Sequence, residues 1–338
     1  MDRRSFLKTL LALGASGMVP GLLKNQTEKP PADPLGPVLP LRPLGTTGAR
    51  VTMLGLGGAH LGRATEKEAE KIIRGALEGG IRFFDNAYVY AGGRAEERYG
   101  KYLPGRHRER LFLMTKTTAT DAPTALRQLD SSLRRLRTDY VDLWQVHAVG
   151  SSRDARNRHR GGVFEAMLGA RDAGKVRFIG FTGHRTPEAL LAILQLTEKT
   201  PIFQACQLPV NVIDAVSSTS FIRQVLPVLI QRGMGILAMK TLAEGRFFKE
   251  TYQSGTLRWT TRRPIIPNRL SVKEALDFVW SLPVSVLITG AEIQQHLQEK
   301  IALAHAFHDL QEEEKERILK KILELSTSRE YEHYKKHP

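Results

Sequence analysis

The chain has 338 residues, 41% of them hydrophobic, with 50 Lys and Arg against 35 Asp and Glu and a formal net charge of +15. That length holds either two domains or one α/β barrel of about 250 residues. The single cysteine, Cys206, excludes an intrachain disulfide and a thiolate metal cluster. The positive charge favours phosphates, acidic metabolites or an anionic membrane surface, while no zinc-finger spacing or basic-zipper pattern points to nucleic acid.

In chain order, residues 1–23 open MDRRSFLKTLLALG, a charged head before a moderately apolar run with Gly and Pro. This resembles a twin-arginine translocation signal, with Arg3, Arg4, Phe6, Leu7 and Lys8 at the motif positions. The expectation is a protein exported folded and cofactor-loaded by the Tat translocase, periplasmic or membrane-anchored facing the periplasm. No clear A-x-A site follows, so cleavage and retention as an anchor both stay open. Residues 24–40 are Pro-rich and predict an extended linker before a single domain over 41–338.

Residues 41–55, LRPLGTTGARVTMLG, read as a β-hairpin turning at Gly45 to Gly48 and plugging the bottom of the fold. Short apolar runs then predict strands at 53–56, 81–85, 111–116, 140–147, 176–181, 204–210, 235–239 and 284–289. Helical periodicity marks 65–78, 123–136, 187–196, 272–282 and 293–303. Eight βα units in sequence favour an α/β fold of the (β/α)8 TIM-barrel class. Cys206, within FQACQLPV, reads as a small core residue of the sixth strand. An amphipathic helix over 310–325 should cover the barrel's outside.

Parallel barrel strands direct their C-terminal ends to one face, where such enzymes carry their active sites. Asp85, Lys116 and His147 close three consecutive predicted strands, and Tyr90 follows Asp85 in the loop DNAYVYAGG. A free phenol, with a pKa of about 10, is a poor acid at neutral pH. An ammonium beside it favours the phenolate, and a carboxylate holds the ammonium. Tyr90, Lys116 and Asp85 supply those groups, while His147 can donate a hydrogen bond that orients a carbonyl.

These motifs carry a resemblance. RFFDNAYVYAGGRAEERYG, LMTKT, YVDLWQVH and the opening LRPLGTTGARVTMLGLGGAHLG are similar to the aldo-keto reductases over residues 41–305. The resemblance implies NAD(P)H-dependent interconversion of a small-molecule carbonyl and an alcohol, with Asp85, Tyr90, Lys116 and His147 as catalytic tetrad and Tyr90 as general acid. It also implies cofactor contacts. Gln207 aligns with the glutamine holding the nicotinamide carboxamide. Thr182 and Gly183 stand where a Ser–Asn pair is usual, and Met239 where many members stack an aromatic ring.

Gly290, after the last strand, would let the backbone approach a phosphate. Glu292 occupies the place of a basic residue that meets the 2′-phosphate of NADP(H), which leans the choice towards NAD(H). Arg269 or Lys300 could hold that phosphate instead, and the preference stays open. Two basic runs, 153–160 and 258–263, should flank the mouth, with Arg158 and Arg160 as candidate clamps for an anionic substrate. No metal is expected. The rival reading is a nucleotide-binding redox sensor of the same fold with little turnover.

Overall fold

Eight parallel strands close into a barrel in sequence order: β1 (Leu54–Gly57), β2 (Phe83–Asp85), β3 (Phe112–Thr117), β4 (Val141–Val146), β5 (Val176–Thr182), β6 (Ala205–Pro209), β7 (Gly235–Met239) and β8 (Val286–Thr289). The structure, a computed structural model, describes residues 31–251, 264–266, 268–328 and 330–335. The (β/α)8 architecture follows from the alternation. The barrel strands are buried on both faces, and in the six-residue β3 and β4 every side chain is buried, the polar Thr115, Lys116, Thr117, Asp142 and Gln145 included. Between them, α1 (Glu66–Glu78) buries Ala69, Ile72, Ile73 and Ala76, the face marked by its period. The predicted leader at 1–23 and residues 24–30 lie outside the described residues.

The hairpin pairs Leu41–Pro43 with Arg50–Thr52. Its Leu44 and Val51 pack with Phe83, Phe112, Leu143, Ala205, Leu237 and Val286 in the barrel interior, so it does plug the bottom. Residues 31–40 differ from the linker expectation. Ala32–Asp33 pairs with Gly36–Pro37, Leu39 is fully buried, and Asp33 accepts two hydrogen bonds of 2.8 Å from Arg82. Pro fits here because a two-residue edge pair needs few backbone donors.

Among the described residues, three helices of nine residues or more were not foreseen from periodicity: α2 (Arg94–Tyr102), α4 (Ser152–Arg160) and α5 (Val163–Asp172). Nor were the short helices at Gly58–Leu61, Val212–Val216, Phe221–Gln224 and Leu226–Gln231. The helix α3 (Ala122–Leu136) was foreseen, as were α6 (Pro187–Leu196), α7 (Val272–Trp280) and α8 (Gln294–His305). The last predicted helix is shorter than expected: α9 (Glu312–Lys320) gives way to a 3-10 turn at Leu323–Thr327. The chain then runs to residues 330–335 beside the loop after β6, where Lys335 pairs with Asp214.

Candidate active site

Asp85 ends β2 and Lys116 lies in β3, both almost fully buried. Past β2 the chain keeps pairing with β3: Asn86 N donates to Met114 O (3.1 Å) and Tyr88 N to Lys116 O (3.1 Å). It then turns sharply through Ala91, Gly92 and Gly93, all at positive φ. At Gly93 a Cβ would also lie 2.4 Å from the Arg135 guanidinium carbon, so only glycine fits. Arg135 in turn sits over the Tyr88 ring and donates to Tyr88 O. That turn returns Tyr90 to the barrel mouth. Lys116 Nζ donates to Tyr90 Oη at 3.2 Å, to Asn86 O at 2.7 Å and to the Asp85 carboxylate. His147 follows β4 and meets the Tyr90 ring edge to face, 5.6 Å between centroids. The four residues converge.

Burial governs their protonation. It pushes the Tyr90 phenol up, and the Lys116 ammonium only partly offsets this. Lys116 pulls the phenol down as expected, but desolvation outweighs the cation, and Tyr90 is held as the neutral acid. Burial also raises the Asp85 carboxyl, against the pull of Lys116. Burial alone would depress Lys116, but Asp85 and Tyr90 carry it above the ordinary lysine value. His147 is held well below 6.5 by burial and then by the Lys116 charge, so its imidazole is neutral.

A cavity of about 510 Å³ opens above these four and runs along the ends of β5 to β8. Thr182, Gln207, Met239, Gly290 and Glu292 all line it. Gln207 Oε1 is buried without a hydrogen-bond partner, as is His147 Nδ1. Burying an unpaired acceptor is costly, which suits an acceptor that a ligand amide would satisfy. Lys300 lies buried at the far end, donating to Thr289 Oγ1 and Gly290 O, both at 2.7 Å, with burial pushing it down to about 7.

The family model for the Aldo/keto reductase family matches residues 53–319, the whole barrel. This chain belongs to that family. Among its relatives, an uncharacterized oxidoreductase, YrpG of Bacillus subtilis, is 30% identical over 260 residues, 69% of this chain and 76% of the relative. The L-galactose dehydrogenase of Arabidopsis thaliana is 29% identical over 221 residues, 61% of this chain and 66% of the relative. The chain spans only 44% of the aldo-keto reductase YhdN of B. subtilis, at 33% identity. The fold matches aldo-keto reductase AKR11C1 from Bacillus halodurans in its holo form, with a TM-score of 0.68 at 23% identity over 84% of this chain and 96% of that one.

This aldo/keto reductase does not bring every candidate to the cavity. Arg158 is buried in α4, donating to Asp154 (2.9 and 3.3 Å) and Ala119 O (3.2 Å), and Arg160 is exposed; neither lines the cavity. The substrate-clamp expectation is corrected on that ground. Ser151 caps the segment as a helix, accepting from Asp154 N, and within that helix Arg158 is taken up by Asp154 and Ala119 O. Residues 258–263 lie outside the described residues. Arg269 is tied to Glu324 and to Lys321 O, also away from the cavity.

Gly290 also has a local packing reason. A Cβ there would lie 2.0 Å from His60 Nδ1, so the glycine makes room for an imidazole. Sequence reading missed His60, His184, Lys240 and Tyr334 as cavity residues. Only His60 and His184 carried a signal, each just past a strand end in GGAHLG and GFTGH. Cys206 is a buried core residue, its thiol pushed well up by burial. Among the described residues no group of three or more His, Cys, Asp or Glu could hold a metal.

Proposed function

We propose that this oxidoreductase interconverts an aldehyde or ketone with an alcohol by NAD(P)H-dependent hydride transfer, Tyr90 acting as general acid and base. The observation that carries the reading is a neutral buried phenol 3.2 Å from the Lys116 ammonium, beside the unpartnered Gln207 acceptor. Thr182, Gln207 and Met239 would hold the nicotinamide, with Gly290 and Glu292 at the phosphate–ribose end. The nucleotide, NADP(H) or NAD(H), supplies the hydride when bound.

In reduction, Tyr90 gives its proton to the carbonyl oxygen, and Lys116 stabilises the phenolate left behind. Asp85 keeps Lys116 charged and aligned. His147, being neutral, can donate a hydrogen bond that orients the carbonyl without adding a second buried cation. We assign the leader to twin-arginine export, on Arg3, Arg4, Phe6, Leu7 and Lys8, with the enzyme periplasmic or membrane-anchored facing the periplasm.

The test is Tyr90→Phe, assayed against a panel of neutral and anionic carbonyls with both nucleotides. Turnover should fall about 10²–10⁴-fold, the usual contribution of a general acid, with nucleotide affinity held. Wild-type turnover in the Phe variant overturns the role. Nucleotide binding by the wild type with no turnover across the panel would favour a sensor instead.

A further inference from the structure

Residues 330–335 lie against the catalytic face, where Tyr334 forms part of the cavity wall. Their anchor is a buried ion cluster. The Lys335 ammonium pairs with both Asp214 and Glu332, the three side chains being 1%, 0% and 2% exposed. Lys335 also donates to Thr219 O at 3.0 Å. Asn211 Nδ2 donates to Glu332 Oε1 (3.1 Å) and Tyr334 Oη (3.0 Å). Asp214 itself accepts from Ser220 Oγ, Phe221 N and Ile222 N, so the cluster is built into the loop after β6.

A second set of contacts reaches the loop after β7. Lys240 Nζ sits 4.7 Å from the Tyr334 ring centroid. His333 Nε2 lies 3.0 Å from the Glu244 carboxylate, which also holds Lys240. Tyr331 packs edge to face on Phe247, at 5.9 Å. The segment thus adds a second bridge between two loops that are joined directly by Val210 N donating to Met239 O (3.1 Å) and Asn211 Nδ2 donating to Lys240 O (3.3 Å). His184, beyond β5, closes the same corner against Tyr334 at 6.2 Å.

We infer that residues 330–335 are a clasp that fastens the loop after β7 to the loop after β6 and controls exchange of the nucleotide beneath. Lys335 is its anchor and Tyr334 its contact with the cavity. The exchange half of this inference rests on the nucleotide reading given above. Removing the ammonium leaves two buried carboxylates without a counter-charge, which drives the segment out. Losing Tyr334 removes its ring contacts with Lys240 and His184 and one hydrogen bond from Asn211, but leaves the Lys335 ion cluster on the β6 side in place.

Hydrogen exchange on the nucleotide-free protein tests the clasp directly. Lys335→Met should speed exchange in both 211–220 and 240–248, while Tyr334→Ala should speed it more in 240–248 than in 211–220, where only the Asn211 bond is lost. Wild-type protection of 240–248 in both variants overturns the clasp, and Tyr334→Ala decides it should Lys335→Met not fold. In stopped flow, Lys335→Met should release NADPH or NADH about tenfold faster or more, with single-turnover hydride transfer within about threefold. An unchanged release rate overturns the control of exchange. If the wild type binds neither nucleotide, the reading of the site falls instead, and the exchange rates alone judge the clasp.

Discussion

Acidification should destabilise this protein through the histidines of its cavity. His60 is pushed from 6.5 down to about 4 by burial and then by the Lys300 charge. His184 is pushed to about 4 by burial and then by Lys240. Both are neutral in the folded protein at pH 5, whereas in the unfolded chain they are protonated below about 6.5. Unfolding therefore takes up protons, and stability falls as pH drops from 6.5 towards 4. Between pH 7 and 5 each contributes a loss of about 2 kcal/mol, so about 4 kcal/mol for the pair, against a typical total of 5–15 kcal/mol. His147 shifts the same way. Urea unfolding followed by the fluorescence of the buried Trp144 and Trp280 measures this at each pH. Other groups titrate too, so the decisive quantity is the difference between variants. His60→Gln should lose about 2 kcal/mol less than wild type between pH 7 and 5. Equal losses in the two proteins would show that His60 is not held neutral, and the reasoning fails.

Glu292→Arg should move nucleotide preference towards NADPH by about tenfold, roughly 1.4 kcal/mol. A wild type that already strongly prefers NADPH, with no gain from the substitution, removes Glu292 from the ribose. Replacing Arg3 and Arg4 by Lys should leave the protein in the cytoplasm, and normal export of that variant in fractionation refutes the leader's role.

The barrel was legible because strand burial and helix amphipathicity write different periods into the chain. The meeting of Asp85, Tyr90, Lys116 and His147 was legible because parallel strands end on one face. What stayed hidden depends on relations that periodicity does not encode. The direction of the Tyr90 shift follows from how deeply the loop is buried, and charge pairing alone predicted the opposite sign. Arg158 looked like a rim cation until the Ser151 cap turned its run into a helix. YEHYKK has no apolar period at all, and its place is set by one lysine matched to carboxylates far away in sequence.

The packing of residues 31–40 against the start of β2 also fixes where the two ends of the chain emerge. The N-terminal segment leaves beside Arg82 and Gly80, at the floor of the barrel, whereas Lys335 is buried beside the opposite rim. A fusion or affinity tag is therefore not neutral with respect to end. Residue 31 lies on the far side from the cavity, whereas a tag joined after Pro338 begins three residues from a buried ammonium.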